Sequence, residues 1–513
     1  MLRPVRRIHF RIARRRRVAE TSPVIPARWV AGFAVASALV RAVAPTVPSP
    51  SAAAGPDSDI RLAAESDRPF RRVVIGLLAR ERDAFLLPRV APSDPAKRDA
   101  HTRFLLRRLS WLSFELLHGN LMRAAPAYTR FFVAVPPRPA NVPAADLEAT
   151  FREYLRVRAG YSEAEIASRV RFFRVPEAVP FPQDLSVVIG SDAQDRLVIG
   201  LGRDMQPAYA RATEALVAAF PDDFVLRRIG GRGDRAVSTE GGDLSIVPAP
   251  QGGLRLLVGR HRVLRILERE GVPWSPPPVV AAADVERVRR LYASAFFGLT
   301  TIVLGENLLA RADRSDEEIF HVDMVSAILR TQTGVKAFVP TYGARPVDAV
   351  SRRALSPEIV RNAQMEYDDA AGQLFRAGYA VVRIPFADHP VRNPVNVARF
   401  RDQETGEPSV LLARYPSTTP EAAGQAAPRA GLEDAFADLD RSVTSWRAAP
   451  SDSTWAATER SIERAFLALD EAASAPSPAF EEARAIYERE GVRVRPVSLV
   501  PSGEGGLHCL VLQ

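Results

Sequence analysis

A single cysteine, Cys509, occurs in the 513 residues, so no disulfide can close within the chain and no multi-cysteine zinc site can be built from it. Lysine is nearly as scarce: Lys97 and Lys336 are the only two among 69 basic residues. In a chain so rich in alanine and proline, that skew reflects coding bias more than arginine chemistry. There is no repeat period and no depletion of apolar residues (47% hydrophobic, 25% charged), which excludes collagen, coiled coil and wholesale disorder. A dispersed basic face is missing too. Residues 1–17 hold eight arginines and no acid, nearly all of the net charge of +9, and the remainder is close to neutral. Phosphate backbones need a domain-wide basic footprint, so no nucleic-acid partner is expected. The apolar stretch Trp29–Val40 spans twelve residues, short of the roughly 20 that cross a bilayer, and no stable membrane span is expected.

What is present begins with an Arg-rich segment and linker over residues 1–58. Trp29–Val40 suits the apolar region of a secretory signal, with Ala42-Val43-Ala44 or Ala52-Ala53-Ala54 as small-residue cleavage sites. The alternative is an unaddressed Arg/Ala/Pro-rich extension, so the sequence leaves localisation open between export and cytoplasm. Residues 45–58 read as a linker, and 59–124 as a helical N-terminal extension. The length allows about three average domains, or one long repeat-built fold.

From about residue 100 the pattern alternates helix and strand. Helical spacing runs over Leu105–Leu117, and strands are expected at Phe131–Val135, Val170–Val175, Leu197–Leu201 and Val225–Ile229. A helix opens at Asp146, and another covers Ala208–Phe220. The long helix Pro357–Arg376 ends at Gly378 before the strand at Val381–Ile384. Phe480–Arg489, Gly491 and Val492–Val497 repeat that device. An α/β fold follows, either a doubly wound sheet or a ring of similar modules. Residues 416–478 read as a helical insertion.

Four constellations carry chemistry. Gly503-Glu504-Gly505-Gly506-Leu507-His508-Cys509 sets the sole thiol beside glycines that permit close backbone approach. His321-Val322-Asp323-Met324, read as a strand, points an imidazole and a carboxylate to one face. Glu240-Gly241-Gly242-Asp243 flanks a double glycine with acids before the strand Leu244–Val247. Gln183-Asp184 follows a proline-punctuated turn. In this order the four segments resemble the pentein superfamily of guanidino-group-modifying enzymes, closest to its agmatine deiminase and peptidylarginine deiminase branches, over residues 125–513.

The resemblance implies an α/β-propeller of about five ββαβ-like modules around a pseudo-fivefold axis, with the site in the central funnel. It implies a hydrolase that deiminates agmatine, arginine or a peptidyl-arginine-like substrate to a ureido product and ammonia. Cys509 would be the nucleophile forming a covalent thiouronium, and His321 the acid and base. Asp184 and Asp323 would be the paired carboxylates, each able to accept two parallel N–H bonds from the guanidinium. Glu240 and Asp243 would line the funnel or hold its turn. No metal and no cofactor are expected. An amidinotransferase, or a non-catalytic guanidino-ligand binder, would use the same residues.

The match departs from the family at the first acid. Phe181 stands where tryptophan is usual, and Asp204, in Arg203-Asp204, keeps the Arg-Asp pair and competes with Asp184. Arg232-Gly233-Asp234 reads as an exposed turn, and Gly305-Glu306-Asn307-Leu308 as a structural turn. His101, His118, His261 and His389 read as satisfied histidines. Strand alternation would turn His508 away from the face of Cys509. Oligomeric state is not encoded in any of these features.

Overall fold

A computed structural model describes residues 60–77, 107–137, 147–177, 179, 182–231, 236–271, 281–309, 321–343, 346, 354–415, 426–449, 451–474, 478–498, 507–508 and 511–513. They belong to one compact unit beginning at Pro56. The fold is mixed α/β, built on five small sheets. Cys509, Arg232-Gly233-Asp234, His101 and the segment 1–58 lie outside the described residues.

The strands in chain order are β1 (Arg61–Leu62), β2 (Arg72–Gly76), β3 (Arg130–Val135), β4 (Val170–Arg174), β5 (Val187–Ser191), β6 (Leu197–Gly202), β7 (Phe224–Ile229) and β8 (Leu244–Pro248). There follow β9 (Leu254–Gly259), β10 (Thr300–Leu304), β11 (Ala327–Thr331), β12 (Gly334–Tyr342), β13 (Ala380–Phe386), β14 (Ala398–Arg401), β15 (Pro408–Arg414) and β16 (Arg493–Ser498). Four sheets repeat one plan. An antiparallel pair (β5–β6, β8–β9, β11–β12, β14–β15) is followed by helix, and the chain returns as a strand parallel to the second member (β7, β10, β13, β16). A parallel return needs a crossover of a dozen or more residues, which the helices supply. In the fifth sheet β3 lies between β2 and β4, both parallel to it, and β2 meets Leu512 in an antiparallel bridge at Val74.

The helix–glycine–strand device is plain in the backbone. Gly378 (φ 89°) and Gly491 (φ 76°) follow the helices Pro357–Arg376 and Pro478–Arg489, adopting the left-handed conformation that glycine takes without a Cβ penalty.

Apolar side chains from the two faces of these sheets form five buried clusters, each shared by two sheets. Val74 and Phe132 pack with Val188 and Phe224, and Val187 and Ile189 with Ile246 and Leu256. Val247 and Leu257 pack with Ile328 and Val339, Leu329 and Phe338 with Val410 and Leu412. Phe400 and Leu411 join Phe131 and Val133 in the fifth.

One expectation needs correcting. The segment 59–124 is not simply a helical extension. Residues 107–124 are largely helical, with a π turn at Glu115–Gly119, but β1 pairs with β5 and β2 with β3. The short 3-10 turn Glu65–Asp67 between them touches β8, β11, β14 and β15, so this segment reaches three other sheets. Apolar β2, Arg-Val-Val-Ile-Gly, is buried beyond its first residue, which explains why it joins a sheet. The helices Ala426–Ala448 and Asp452–Ser474 occupy the expected insertion, yet Leu439, Val443, Phe466 and Leu469 belong to the same core cluster as β3 and β15. Among the described residues no helix is long and apolar enough to cross a membrane.

Candidate functional site

Three turns, each placed immediately before a strand, deliver the polar side chains. Gln183 and Asp184 sit on the 3-10 turn Pro182–Leu185 before β5. Glu240 to Asp243 form the turn into β8, closed by the Asp243 N–H donating to the Glu240 carbonyl at 3.1 Å. His321 caps the 3-10 turn Val322–Met324 before β11. The expected strand at His321–Asp323 is therefore replaced by a turn, in which Met324 N–H donates back to the His321 carbonyl. Its two side chains still converge: His321 Nδ1 lies 4.0 Å from Asp323 Oδ1.

The paired glycines make this approach feasible. A Cβ on Gly242 would stand 2.3 Å from Nδ1 of His321, and one on Gly241 would stand 2.4 Å from the Gln183 carbonyl oxygen. Glycine is demanded here by close approach, with the imidazole occupying the space where a side chain would otherwise be.

His321 Nε2 faces Glu240 Oε1 at 3.4 Å. One atom each from Asp184, Glu240 and His321 lies within 4.8 Å of the others, a spacing that can hold a cation. Asp184 is 7% exposed, and its Oδ1 is buried with no hydrogen-bond partner among the described residues. Burial pushes this carboxyl up to about 7; His321 pulls it down, while Glu240, Asp323 and Asp243 reinforce the rise. Against its own burial, Glu240 is drawn down to about 2 by the hydrogen bond with His321 and by the charge of Arg262.

Asp243 takes a different part from the other acids. It is fully buried and accepts from Arg262 Nε, while Arg262 Nη2 reaches Glu240 at 2.6 Å and Nη1 reaches Ser238 Oγ at 3.0 Å. Despite burial, these acids raise the Arg262 guanidinium above its ordinary value. Asp243 thus anchors the turn through Arg262, and Glu240 alone of this pair faces His321. Asp204 is not brought to the cluster: its side chain is 45% exposed and bonded to Arg269 at 3.1 Å. An Arg-Asp pair in sequence says nothing about burial, which is what separates Asp204 from Asp184.

Four contributors are additional to the site residues expected from the sequence: Glu65, Asn396, Arg399 and His508. His508, expected to point elsewhere, is 2% exposed, and its Nδ1 lies 2.9 Å from Asp323 Oδ2. Its Nε2 lies 2.5 Å from Glu65 Oε1. Leu507–His508 is not part of a regular strand, so period-two alternation does not govern its direction. Asn396 donates to Asp323 Oδ2 at 3.2 Å and accepts from His508 N–H at 2.8 Å. Arg399 Nη2 donates to Glu65 Oε2 at 2.5 Å. Although burial opposes it, Arg399 and His508 hold Glu65 well below the usual carboxylate range. The segment Asn393-Pro394-Val395-Asn396, a turn just before β14, is the available sequence signal; Glu65 offers none.

Of the other histidines, His118 is buried with Nε2 3.0 Å from the Gly76 carbonyl, and burial lowers it to about 4. Gly305 opens a 3-10 turn at φ 80°. In comparisons with known proteins, the chain matches no family model and no curated sequence.

Proposed function

We propose that this protein is a deiminase of guanidino compounds, built as a pentein-like fan of five α/β modules with its site at the centre. The order in which the five apolar clusters link the sheets supports the fan: each sheet shares one cluster with each of two others, and the series returns to its start. The repeated antiparallel pair, helix and parallel strand supports the module.

One observation carries the chemistry. Asp184 is a buried carboxyl with an oxygen lacking any partner among the described residues, beside His321 and within the field of three further acids. A buried uncompensated carboxylate is costly, and a planar cation rich in N–H donors is the kind of ligand that relieves it. A metal ion is a second reading of the same spacing, in contrast to the expectation of none. It fits less well, because Arg262 already offsets the charge of Glu240 through Oε2, leaving only Oε1 to face an ion.

In the proposed reaction, Asp184 and Asp323 hold the guanidinium nitrogens. The two acids are not equivalent, as paired bidentate acceptors would be: Asp323 Oδ2 already receives Asn396 and faces His508. Cys509, whose chain neighbour His508 bonds Asp323, attacks the guanidinium carbon as thiolate to give a tetrahedral adduct. His321, with Glu240 behind it, gives a proton to the leaving ammonia. It then takes one from the water that cleaves the thiouronium, releasing the ureido product and restoring the thiolate. An amine in place of that water gives the amidinotransferase alternative.

The test is a screen of agmatine, arginine, modified arginine and arginyl peptides with colorimetric ureido detection, before and after chelator treatment. Ureido product and ammonia, unchanged by chelation and abolished in Cys509→Ala, are expected. A new guanidino compound formed only with an added amine would move the assignment to transfer. Saturable guanidino binding without turnover or haloacetamidine labelling would make the protein a binder.

A further inference from the structure

We propose that His508 is held as an imidazolium between two carboxylates, Asp323 and Glu65, and that this clamp decides which oxygen of Asp323 meets the substrate. Only the second part rests on the deiminase reading; the charge state of the ring stands on its own geometry.

Both ring nitrogens face carboxylate oxygens, Nδ1 at 2.9 Å from Asp323 and Nε2 at 2.5 Å from Glu65. A neutral imidazole has one N–H and one lone pair, so in either tautomer it would set a lone pair against a carboxylate at hydrogen-bond distance. Two donors therefore fit where one does not. Gln183 Nε2 and Arg399 Nη2 also approach Nε2, each at 3.4 Å. They are nearly 1 Å farther than Glu65 and have nearer acceptors of their own, the Gly241 carbonyl at 3.2 Å and Glu65 Oε2 at 2.5 Å.

Glu65 also feels the fields of Arg399 and Arg68, so the ring's second proton rests on its two direct carboxylate acceptors and not on a count of charges. Buried charges persist when they are paired and hydrogen-bonded. The positioned direction of titration agrees: burial lowers His508, but Glu65 and the bonds with Asp323 and Glu65 leave it raised above its ordinary value, with Arg399 opposing.

The clamp has a mechanical consequence. With His508 and Asn396 both donating to Oδ2, and Asn396 also accepting the His508 backbone N–H, the Asp323 carboxylate cannot swing. It presents Oδ1 on the side of His321. Glu65, from the turn before β2, and the C-terminal Gln513, which donates to it, are thus positioning residues for an acid two sheets away.

The test is nitrogen-15 NMR of the full chain labelled at histidine, with the His508 signal assigned by its loss in His508→Gln. Both ring nitrogens should remain protonated in character at pH 8 in the wild type. In Glu65→Gln the ring should titrate near the ordinary histidine value of about 6.5. The same variant should lose kcat for a guanidino substrate by roughly tenfold or more at pH 8, and recover it toward pH 6 as the ring regains its proton. A neutral wild-type ring at pH 7 overturns the proposal, as does an unchanged titration in Glu65→Gln. Should that variant not fold, the wild-type spectrum alone decides. The expected spectra in a protein that turns over no guanidino compound would uphold the clamp and remove the deiminase.

Discussion

Gly242 offers the most direct perturbation of the candidate site. In Gly242→Ala the new methyl would stand 2.3, 2.6 and 2.8 Å from three atoms of the His321 ring, where ordinary contact begins at 3.4 Å. The ring must retreat by about 1 Å, away from the position that faces Glu240 and Asp323. Misplacing a reacting group by that distance costs roughly 100-fold in rate, or ~2.7 kcal/mol of transition-state stabilisation. Overpacking a buried contact costs ~1–3 kcal/mol of stability, so a folded protein impaired in the proposed reaction is expected. The measurement is kcat/KM for ureido formation on the best substrate from the screen, paired with a thermal melt. Gly431→Ala is the control: nothing lies within 4 Å of its added methyl, it sits in the helix Ala426–Ala448, and a gain of ~0.5–1 kcal/mol with unchanged activity is expected. If Gly242→Ala folds and retains kcat/KM within about twofold, His321 is not the acid–base group.

Gly241→Ala should act on the fold, because its methyl would meet two backbone carbonyls, of Gln183 at 2.4 Å and Ser186 at 2.6 Å. A loss of ~1–3 kcal/mol by denaturant titration is expected, and an unchanged midpoint would refute it. Arg262→Met leaves the buried Asp243 and the half-buried Glu240 without their cation, which should cost ~3–5 kcal/mol in the same assay. Asp184, raised from 3.8 to about 7, keeps its proton in the folded protein where the unfolded chain has lost it. Stability of the unliganded protein should therefore decline as pH rises from about 4 to 7, and Asp184→Asn should flatten that slope in melts across pH. Binding of a guanidinium favours the carboxylate, so its affinity should rise up to tenfold per pH unit toward 7 and then level. Calorimetry in buffers of different ionisation enthalpy would show the released proton, and pH-independent binding would sink the assignment of Asp184.

Much of the local structure was legible in the sequence because its causes are local. Apolar spacing marked β3, β4, β6 and β7 to within a residue or so, and glycines after helices marked where chain direction reverses. The double glycines also signalled close approach, although not to what. His321–Asp323 reads as strand in sequence because residues two apart share a face there. A 3-10 turn also brings them near each other, and a short motif does not distinguish the two.

What local pattern left open was decided by burial and by long-range pairing. Asp184 and Asp204 are equivalent as letters near a turn; only the packed chain buries one and leaves the other on Arg269. Glu65 and His508 stand at opposite ends of the described chain, and neither carries a mark of the other. Their ion pair exists because five sheets crowd turns from distant segments into one desolvated volume, where a charge must find its partner whatever its place in the sequence.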